Sequence, residues 1–95
     1  MSIYVDDLVS WPKHVLKDRH RKAKEAVWCH MVSDGRIEEL HAFARTIGVD
    51  KTRFIYGSAF NHYDLTPLKR AQAVQGGAIE VDFDMLLEIM RLAKQ

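Results

Sequence analysis

The sequence predicts a single small α/β domain in which helices flank a mainly parallel sheet of three strands, in the order β-α-β-α-β-α. Three observations predict this fold class. A chain of 95 residues can form one core and little more. Its 47% apolar and 28% charged residues are typical of folded domains. Short β-forming runs alternate with segments of helical periodicity, which is typical of parallel strands joined by right-handed helical crossovers.

Three short runs predict the strands. Residues 3–5, 53–56 and 78–81 are rich in β-branched, aromatic and other apolar side chains, and none contains glycine or proline. After the first run, Trp11 precedes a proline, which disfavours helix at that position and predicts a loop.

Capping residues and apolar spacing predict the helices. The first helix follows a cap at Ser33 or Asp34 and ends at Gly48. The second begins at Thr66, whose hydroxyl can accept from free amides and which is followed by proline. Asp82 caps the third, in which apolar residues recur at helical spacing.

Basic residues are concentrated in one stretch, although the net charge of the chain is only +1. Residues 13–24 hold six Lys or Arg and one acid, and we interpret residues 13–27 as a basic insertion, a loop or mobile helix, within one domain spanning residues 1–95. Such a run either attracts phosphate groups or is a solvated surface. The candidates for contact with phosphate or nucleic acid are Lys17, Arg19, Arg21, Lys22 and, from the second helix, Arg70. A salt bridge to a nearby aspartate is the alternative role for Arg70.

The composition also predicts the compartment. Cys29 is the only cysteine, so an internal disulfide cannot form, which fits a reducing environment. The first residues lack the basic and apolar regions of a signal peptide, and no apolar run approaches the roughly 20 residues of a membrane span. We expect a cytoplasmic protein with no membrane partner, and oligomerisation would stabilise so small a core.

Ionisable side chains follow the predicted strands. Ligands of open parallel sheets bind beyond the carboxyl ends of the strands, so these side chains and those preceding the first helix should meet at one edge. Carboxylates there suit Mg²⁺ or Mn²⁺, and the alternative is that they cap turns or helices. The candidate metal ligands are Asp6, Asp7, His30 and Asp34.

Three further residues are candidates for catalysis: His41, His62 and Asp64. An imidazole can act as general acid or base because its usual pKa lies near neutrality. His41 lies on the apolar stripe of the first helix, however, where a hydrogen-bonded structural histidine is the commoner case. The sequence contains no zinc-finger spacing, phosphate-binding glycine loop or Gly-x-Ser-x-Gly nucleophile motif.

An ordered set of motifs resembles a domain-of-unknown-function family of short proteins from bacteria and their phages. The motifs are YVDD at residues 4–7, WCHMVSD at 28–34, ELHAFA at 39–44 and HYDL at 62–65, with Arg70 and a later Gly-Ala pair. The resemblance covers nearly the whole chain and implies no particular activity. It marks as motif positions the eight residues Asp6, Asp7, His30, Asp34, His41, His62, Asp64 and Arg70.

Two functions from different classes agree with these features. The first is a metal-assisted phosphoester hydrolase that acts on a nucleotide or nucleic acid through the histidine and aspartate cluster. The alternative is a non-enzymatic module, encoded by a phage, that engages a host protein or nucleic acid through its basic segment. In that case the cluster would be a buried hydrogen-bond network.

Overall fold

The computed structural model describes residues 2–10 and 27–93. Within these ranges the strands are β1 (Ile3–Val5), β2 (Val9–Ser10), β3 (Val27–Ser33), β4 (Phe54–Tyr56), β5 (Asn61–Leu65) and β6 (Ile79–Glu80). The helices are α1 (Ile37–Thr46), α2 (Pro67–Gln75) and α3 (Phe83–Leu92), with a 3₁₀ turn at Lys51–Arg53 before β4. Across the described ranges, every helix is too short or too polar to cross a membrane.

The six strands form a mixed sheet that is mostly antiparallel. Its order is β4-β5-β3-β1-β6, and β2 pairs with β3 beside this path. Of the strand pairs described, β1 with β6 is parallel, and the others are antiparallel. The expectation of a mainly parallel sheet of three strands is therefore wrong. The prediction lacks β3 and β5, which lie inside the sheet. Strand β5 runs antiparallel to β4 and β3, and β3 runs antiparallel to β5 and β1.

The predicted strands and helices themselves are present. Strands β1, β4 and β6 lie within the three predicted runs, and α2 and α3 begin after the predicted caps. Thr66 Oγ1 accepts from the amide of Lys69 at 3.3 Å, and Asp82 accepts from the amide of Met85 at 2.7 Å. Helix α1 differs, because its N-cap is Arg36, with no side-chain hydrogen bond at the cap.

One face of the sheet forms the core. Alternate residues of β3 and β5 point to this face, where Met31 is paired with Tyr63 and Cys29 with Leu65. Helices α1 and α2 cover them. The cluster is Val5, Cys29, Met31, Leu40, Ala44, Ile47, Tyr63, Leu65, Ala73 and Ala78. Fully burying a large apolar side chain contributes about 1.5–3 kcal/mol, so this face supplies most of the driving force for folding.

The opposite face carries the intervening residues of the same strands. His30 of β3 is paired with Asp64 of β5, and His62 lies two residues earlier on β5. Helix α3 begins over this face, with the Phe83 ring centroid 5.6 Å from that of His30. The alternation of β3 and β5 thus places the imidazoles and carboxylates on the face opposite the core cluster, where Val32 and Ile55 are also buried.

Candidate functional site

Three potential metal-binding side chains meet on the face opposite the core. They are His30, His62 and Asp64, and one ring nitrogen of each histidine and one carboxylate oxygen lie within 4.8 Å of one another. The two imidazole centroids are 4.9 Å apart. Antiparallel pairing of β3 with β5 places His30 directly opposite Asp64. Two imidazoles and a carboxylate form a donor set that binds divalent transition metals.

Asp6, which follows β1, fixes the position of His30. Its carboxylate is 2% exposed. Oδ1 accepts from the backbone amide of His30 at 2.6 Å, and Oδ2 lies 2.7 Å from Nδ1 of the same ring. Arg70 Nε donates to the backbone carbonyl of Asp6 at 2.8 Å. When Nδ1 donates to the carboxylate, the lone pair of a neutral ring is on Nε2, which is the arrangement of carboxylate-supported histidine ligands.

A backbone carbonyl orients His62 in the same way. Nδ1 of His62 lies 3.2 Å from the carbonyl oxygen of Phe60, and Nε2 lies 3.2 Å from Oδ1 of Asp64. If Nδ1 donates to the carbonyl, Nε2 of a neutral ring and the carboxylate oxygen both present lone pairs. Such a pair needs a proton or a cation between them, because two acceptors repel each other. The geometry therefore suits a shared proton or, with His30 as the third donor, a shared cation.

The turn between β4 and β5 depends on Gly57. A Cβ at this position would lie 2.4 Å from the carbonyl oxygen of Phe60 and 3.2 Å from Cε1 of His62. Any larger residue would displace the carbonyl that orients His62. Glycine is needed here for close approach.

A cavity of about 450 Å³ opens beside the cluster. Its lining residues are Asp6, Asp7, Val9, His30, Gly57, Ser58, Ala59, Phe60, His62 and Phe83. The ring of Phe60 lies 5.5 Å from His30 and 5.2 Å from His62, between centroids. Pockets of this size, mainly apolar with a few polar groups, are typical of small-molecule sites.

A family model described as "Protein of unknown function (DUF4031)" matches residues 3–93, which include every residue of this site. The chain belongs to the DUF4031 family. Searches of curated proteins and of solved structures found no match. The resemblance to a family of unknown function is confirmed. The family description names no activity for this DUF4031 domain.

The structure brings together four of the candidate residues: Asp6, His30, His62 and Asp64. Asp7 is exposed and lines the same cavity. The expected convergence is present for these residues but not for Asp34, and its physical cause differs from the one predicted. Neighbouring antiparallel strands present these side chains from one face, whereas the prediction used the carboxyl ends of parallel strands. Asp6 contacts His30, and the donor atoms come from His30, His62 and Asp64.

Two candidate residues of this DUF4031 domain lie away from the cluster. Asp34 accepts from the amide of Ser2 at 2.8 Å and from the hydroxyl of Tyr4 at 3.2 Å, which joins the start of β1 to the end of β3. His41 lies on the core side, where Nδ1 is 2.7 Å from the hydroxyl of Tyr63. Burial lowers the pKa of His41 below its usual value. His41 thus makes the kind of hydrogen bond expected of a structural histidine. Asp34 joins two strands and does not cap α1, whose N-cap is Arg36.

Arg70 is engaged within the protein. Besides the carbonyl of Asp6, its guanidinium contacts Oε1 of Glu80 at 2.9 Å. Arg70 thus forms a salt bridge, but with Glu80 and not with the aspartate that the sequence suggested. Its contact with Asp6 is to the backbone carbonyl. The four other candidates for phosphate contact, Lys17, Arg19, Arg21 and Lys22, lie outside the described residues.

Cys29 and His30 are adjacent in sequence but point to opposite faces of β3. The thiol is 1% exposed, and burial raises its pKa to about 12. A thiol with such a pKa is protonated at neutral pH and is a poor nucleophile. Cys29 therefore belongs to the core, whereas His30 belongs to the candidate site.

Six residues that line the cavity carry no functional prediction from the sequence: Val9, Gly57, Ser58, Ala59, Phe60 and Phe83. Gly57 and Phe60 lie in the turn before β5, and Phe83 is the first residue of α3. A glycine just after a predicted strand is a turn signal, and it could have marked a tight hairpin. The positions of the two aromatic rings over the cluster depend on tertiary packing, for which the sequence gives no signal.

Proposed function

We propose that this DUF4031 protein is a metal-dependent phosphoester hydrolase that acts on a nucleotide or nucleic acid. The observation that carries the proposal is the convergence of donor atoms from His30, His62 and Asp64 within 4.8 Å beside an open cavity. Metal centres with three protein ligands and an accessible position for water are typical of catalysis, whereas structural centres are closed by a fourth ligand.

The donor set favours some cations over others. Imidazole nitrogens bind Zn²⁺ well, and carboxylates also bind Mn²⁺. Of the two cations predicted from the sequence, Mg²⁺ fits less well than Mn²⁺ because it prefers oxygen ligands and retains its waters. Zn²⁺ and Mn²⁺ are therefore the cations to test, with Mg²⁺ as the comparison.

The protein supports the chemistry that a bound metal ion would supply. A bound divalent ion lowers the pKa of a water molecule and neutralises phosphoryl charge. Asp6 holds the ring of His30, and the Phe60 carbonyl holds that of His62, so neither ring has to reorganise when the substrate binds. In the reaction, a P–O bond forms to water and the ester P–O bond breaks. The released alcohol takes up one proton.

Support for a phosphate-bearing substrate comes from the sequence. Residues 13–24 carry six basic side chains and one acid, a charge that attracts phosphates. The lone buried cysteine fits a reducing compartment, so we place the activity in the cytoplasm. An origin in bacteria or phages stays a prediction of the family resemblance.

The test is turnover by metal-reconstituted protein. The protein is stripped with chelator and reloaded with Zn²⁺, Mn²⁺ or Mg²⁺. It is then offered bis(p-nitrophenyl) phosphate, nucleoside monophosphates and short single-stranded oligonucleotides. We expect turnover that chelator abolishes and that falls more than about 100-fold in His62→Gln and Asp64→Asn, since each removes a ligand.

Matched controls remove the same chemical groups elsewhere. His41→Gln and Asp34→Asn lie outside the cluster and should keep turnover once folding is verified by circular dichroism. Absence of turnover with all three metals overturns the proposal, and so does turnover that survives Asp64→Asn. Nucleic-acid binding without turnover, lost when Lys17, Arg19, Arg21 and Lys22 are neutralised together, would support the binding-module alternative instead.

A further inference from the structure

Two aromatic rings line the cavity. The centroids of Phe60 and Phe83 are 6.5 Å apart, and their planes are inclined by 54°. Each ring also packs near His30, at 5.5 and 5.6 Å. The cavity is thus lined by imidazoles of the donor cluster and by two phenyl rings, which cannot bind a metal.

Phe83 is unusually open for a residue that contacts the site. It is 44% exposed, although it is a large apolar side chain. Its backbone is held at the first turn of α3, where Asp82 accepts from the amide of Met85 at 2.7 Å. A capped helix start is a firm support, so the ring is presented from a fixed position. An exposed aromatic face beside a polar cluster can receive a planar group.

The charge of the lining residues indicates how a nucleotide is oriented in the cavity. Among the lining residues that the structure describes there are two carboxylates, Asp6 and Asp7, and no lysine or arginine. Both oxygens of Asp6 contact His30, whereas Asp7 is exposed. These carboxylates repel a phosphate unless a bound cation offsets their charge. The phosphate is therefore placed at the metal bound by the donor cluster, which leaves the uncharged base for the aromatic rings.

The size of the cavity limits the substrate further. A volume of about 450 Å³ suits one small ligand. A base inside a duplex has both faces covered by its neighbours, so it cannot stack on a protein ring until it is unpaired. Stacking of a base on an aromatic side chain is sequence-tolerant, because every base has a π face.

We propose that the substrate carries an unpaired nucleobase, which stacks on Phe83 with Phe60 packed against its edge, while its phosphate lies at the His30–His62–Asp64 cluster. This inference rests on the proposed function, since it names the substrate class of the same site. The substrate is therefore a mononucleotide or a single-stranded end, and a duplex is excluded.

The test compares two ligands that differ only in the base. Binding of adenosine 5′-monophosphate and of ribose 5-phosphate to Zn²⁺-loaded protein is measured by calorimetry. We expect the nucleotide to bind at least about tenfold more tightly, the size of effect expected when one base stacks. Phe83→Leu keeps the apolar volume but removes the aromatic face, and it should weaken nucleotide binding about tenfold while changing ribose 5-phosphate binding less than twofold.

Two further variants control for folding and local packing. Phe83→Tyr retains an aromatic face and should bind the nucleotide like the unmodified protein. Met85→Ala removes another side chain of α3 that is 52% exposed and does not line the cavity, and it should have no effect. Equal affinity for the two ligands overturns the inference, as does equal weakening of both by Phe83→Leu.

The outcomes separate this inference from the proposed function. In one outcome, binding depends on the base and is lost in Phe83→Leu, but no phosphoester is hydrolysed. That result supports the base site and overturns the proposed hydrolase activity. Metal-dependent hydrolysis that is lost in Asp64→Asn, at equal rates for substrates with and without a base, sustains the hydrolase and overturns the base site. Binding of a blunt duplex as tight as that of a single strand also overturns the inference.

Discussion

Asp6 is the residue on which the geometry of the site depends. Its carboxylate is buried, and both of its oxygens contact His30, one through the backbone amide and one through the ring. A buried carboxylate is tolerated when its oxygens are hydrogen-bonded. The same two contacts restrain the imidazole, so the stability of the fold and the orientation of a proposed metal ligand depend on one side chain.

Replacing Asp6 with asparagine should damage both properties. An asparagine presents an NH₂ group to one of the two His30 donors, which leaves that donor unsatisfied and costs about 1–3 kcal/mol of unfolding free energy. Loss of the supporting carboxylate should also weaken Zn²⁺ binding by about 10–100-fold. Urea unfolding and metal titration measure the two effects. Asp84→Asn, on the exposed start of α3, should change the unfolding free energy by about 0.5 kcal/mol or less.

His41 predicts a pH dependence of stability. Burial lowers its pKa below the usual 6.5, so the folded state favours the neutral ring. The stabilising contribution is fully present above pH 6.5 and is lost as the pH falls through the lower pKa of the folded state. Between pH 7 and pH 5, the unmodified protein should therefore lose more unfolding free energy than His41→Gln. Equal losses in urea unfolding at the two pH values would contradict this assignment.

At the scale of elements, β3 and β5 explain why the sheet was predicted incorrectly. Local signals predict β1, β4, β6 and the helices, because apolar runs and caps are readable in a few residues. β5 does alternate polar and apolar residues, which is a strand signal. Its asparagine and aspartate are uncommon in strands, however, and indicate a loop by composition. Strand direction then depends on long-range pairing, which a local pattern does not contain.

The site shows the same division between local and long-range information. The residue types identify Asp6, His30, His62 and Asp64 as chemically capable groups, and the structure brings them together. The helical spacing does predict that His41 faces the core, but the sequence does not show that its partner is Tyr63 or that Asp6 bonds to His30. Those roles depend on which face of each strand or helix is buried.

The hairpin between β4 and β5 gives a prediction at this scale. In Gly57→Ala the new methyl group would meet the carbonyl of Phe60, so the turn must shift. We expect a loss of about 1–3 kcal/mol in unfolding free energy, as for overpacked sites, and weaker Zn²⁺ binding because His62 loses its support. Gly76→Ala is the matched control. Its backbone φ is −81°, its nearest contacts begin at 3.4 Å, and its stability should be nearly unchanged.

At the scale of the whole molecule, the two faces of the sheet are covered unequally. Helices α1 and α2 pack on the core face, while α3 begins over the other. The chain from β5 through α2 to β6 crosses the core face, which places β6 beside β1 and parallel to it. The less covered face leaves space for a cavity beside the donor cluster.

Metal binding should therefore stabilise the whole domain. A ligand that binds the folded state alone, at 100 times its dissociation constant, adds about 2.7 kcal/mol to the unfolding free energy. For a chain of this size, that corresponds to a rise in Tm on the order of 10 °C. Differential scanning fluorimetry with Zn²⁺, and after chelation, measures the shift. The same shift in the His62→Gln, Asp64→Asn double variant would place the metal elsewhere.

The pairing of His30 with Asp64 beside that of Met31 with Tyr63 has a consequence for how this protein tolerates change. Since side chains alternate strictly along a strand, slippage of β5 by one residue would turn Tyr63 and Leu65 toward water and force His62 and Asp64 into the apolar layer. Single-residue deletions in β5 should therefore abolish folding and chemistry together. Residues on either face can still be substituted independently of the other face. The fold therefore permits new activities through substitutions in β5 but not through insertions or deletions in it.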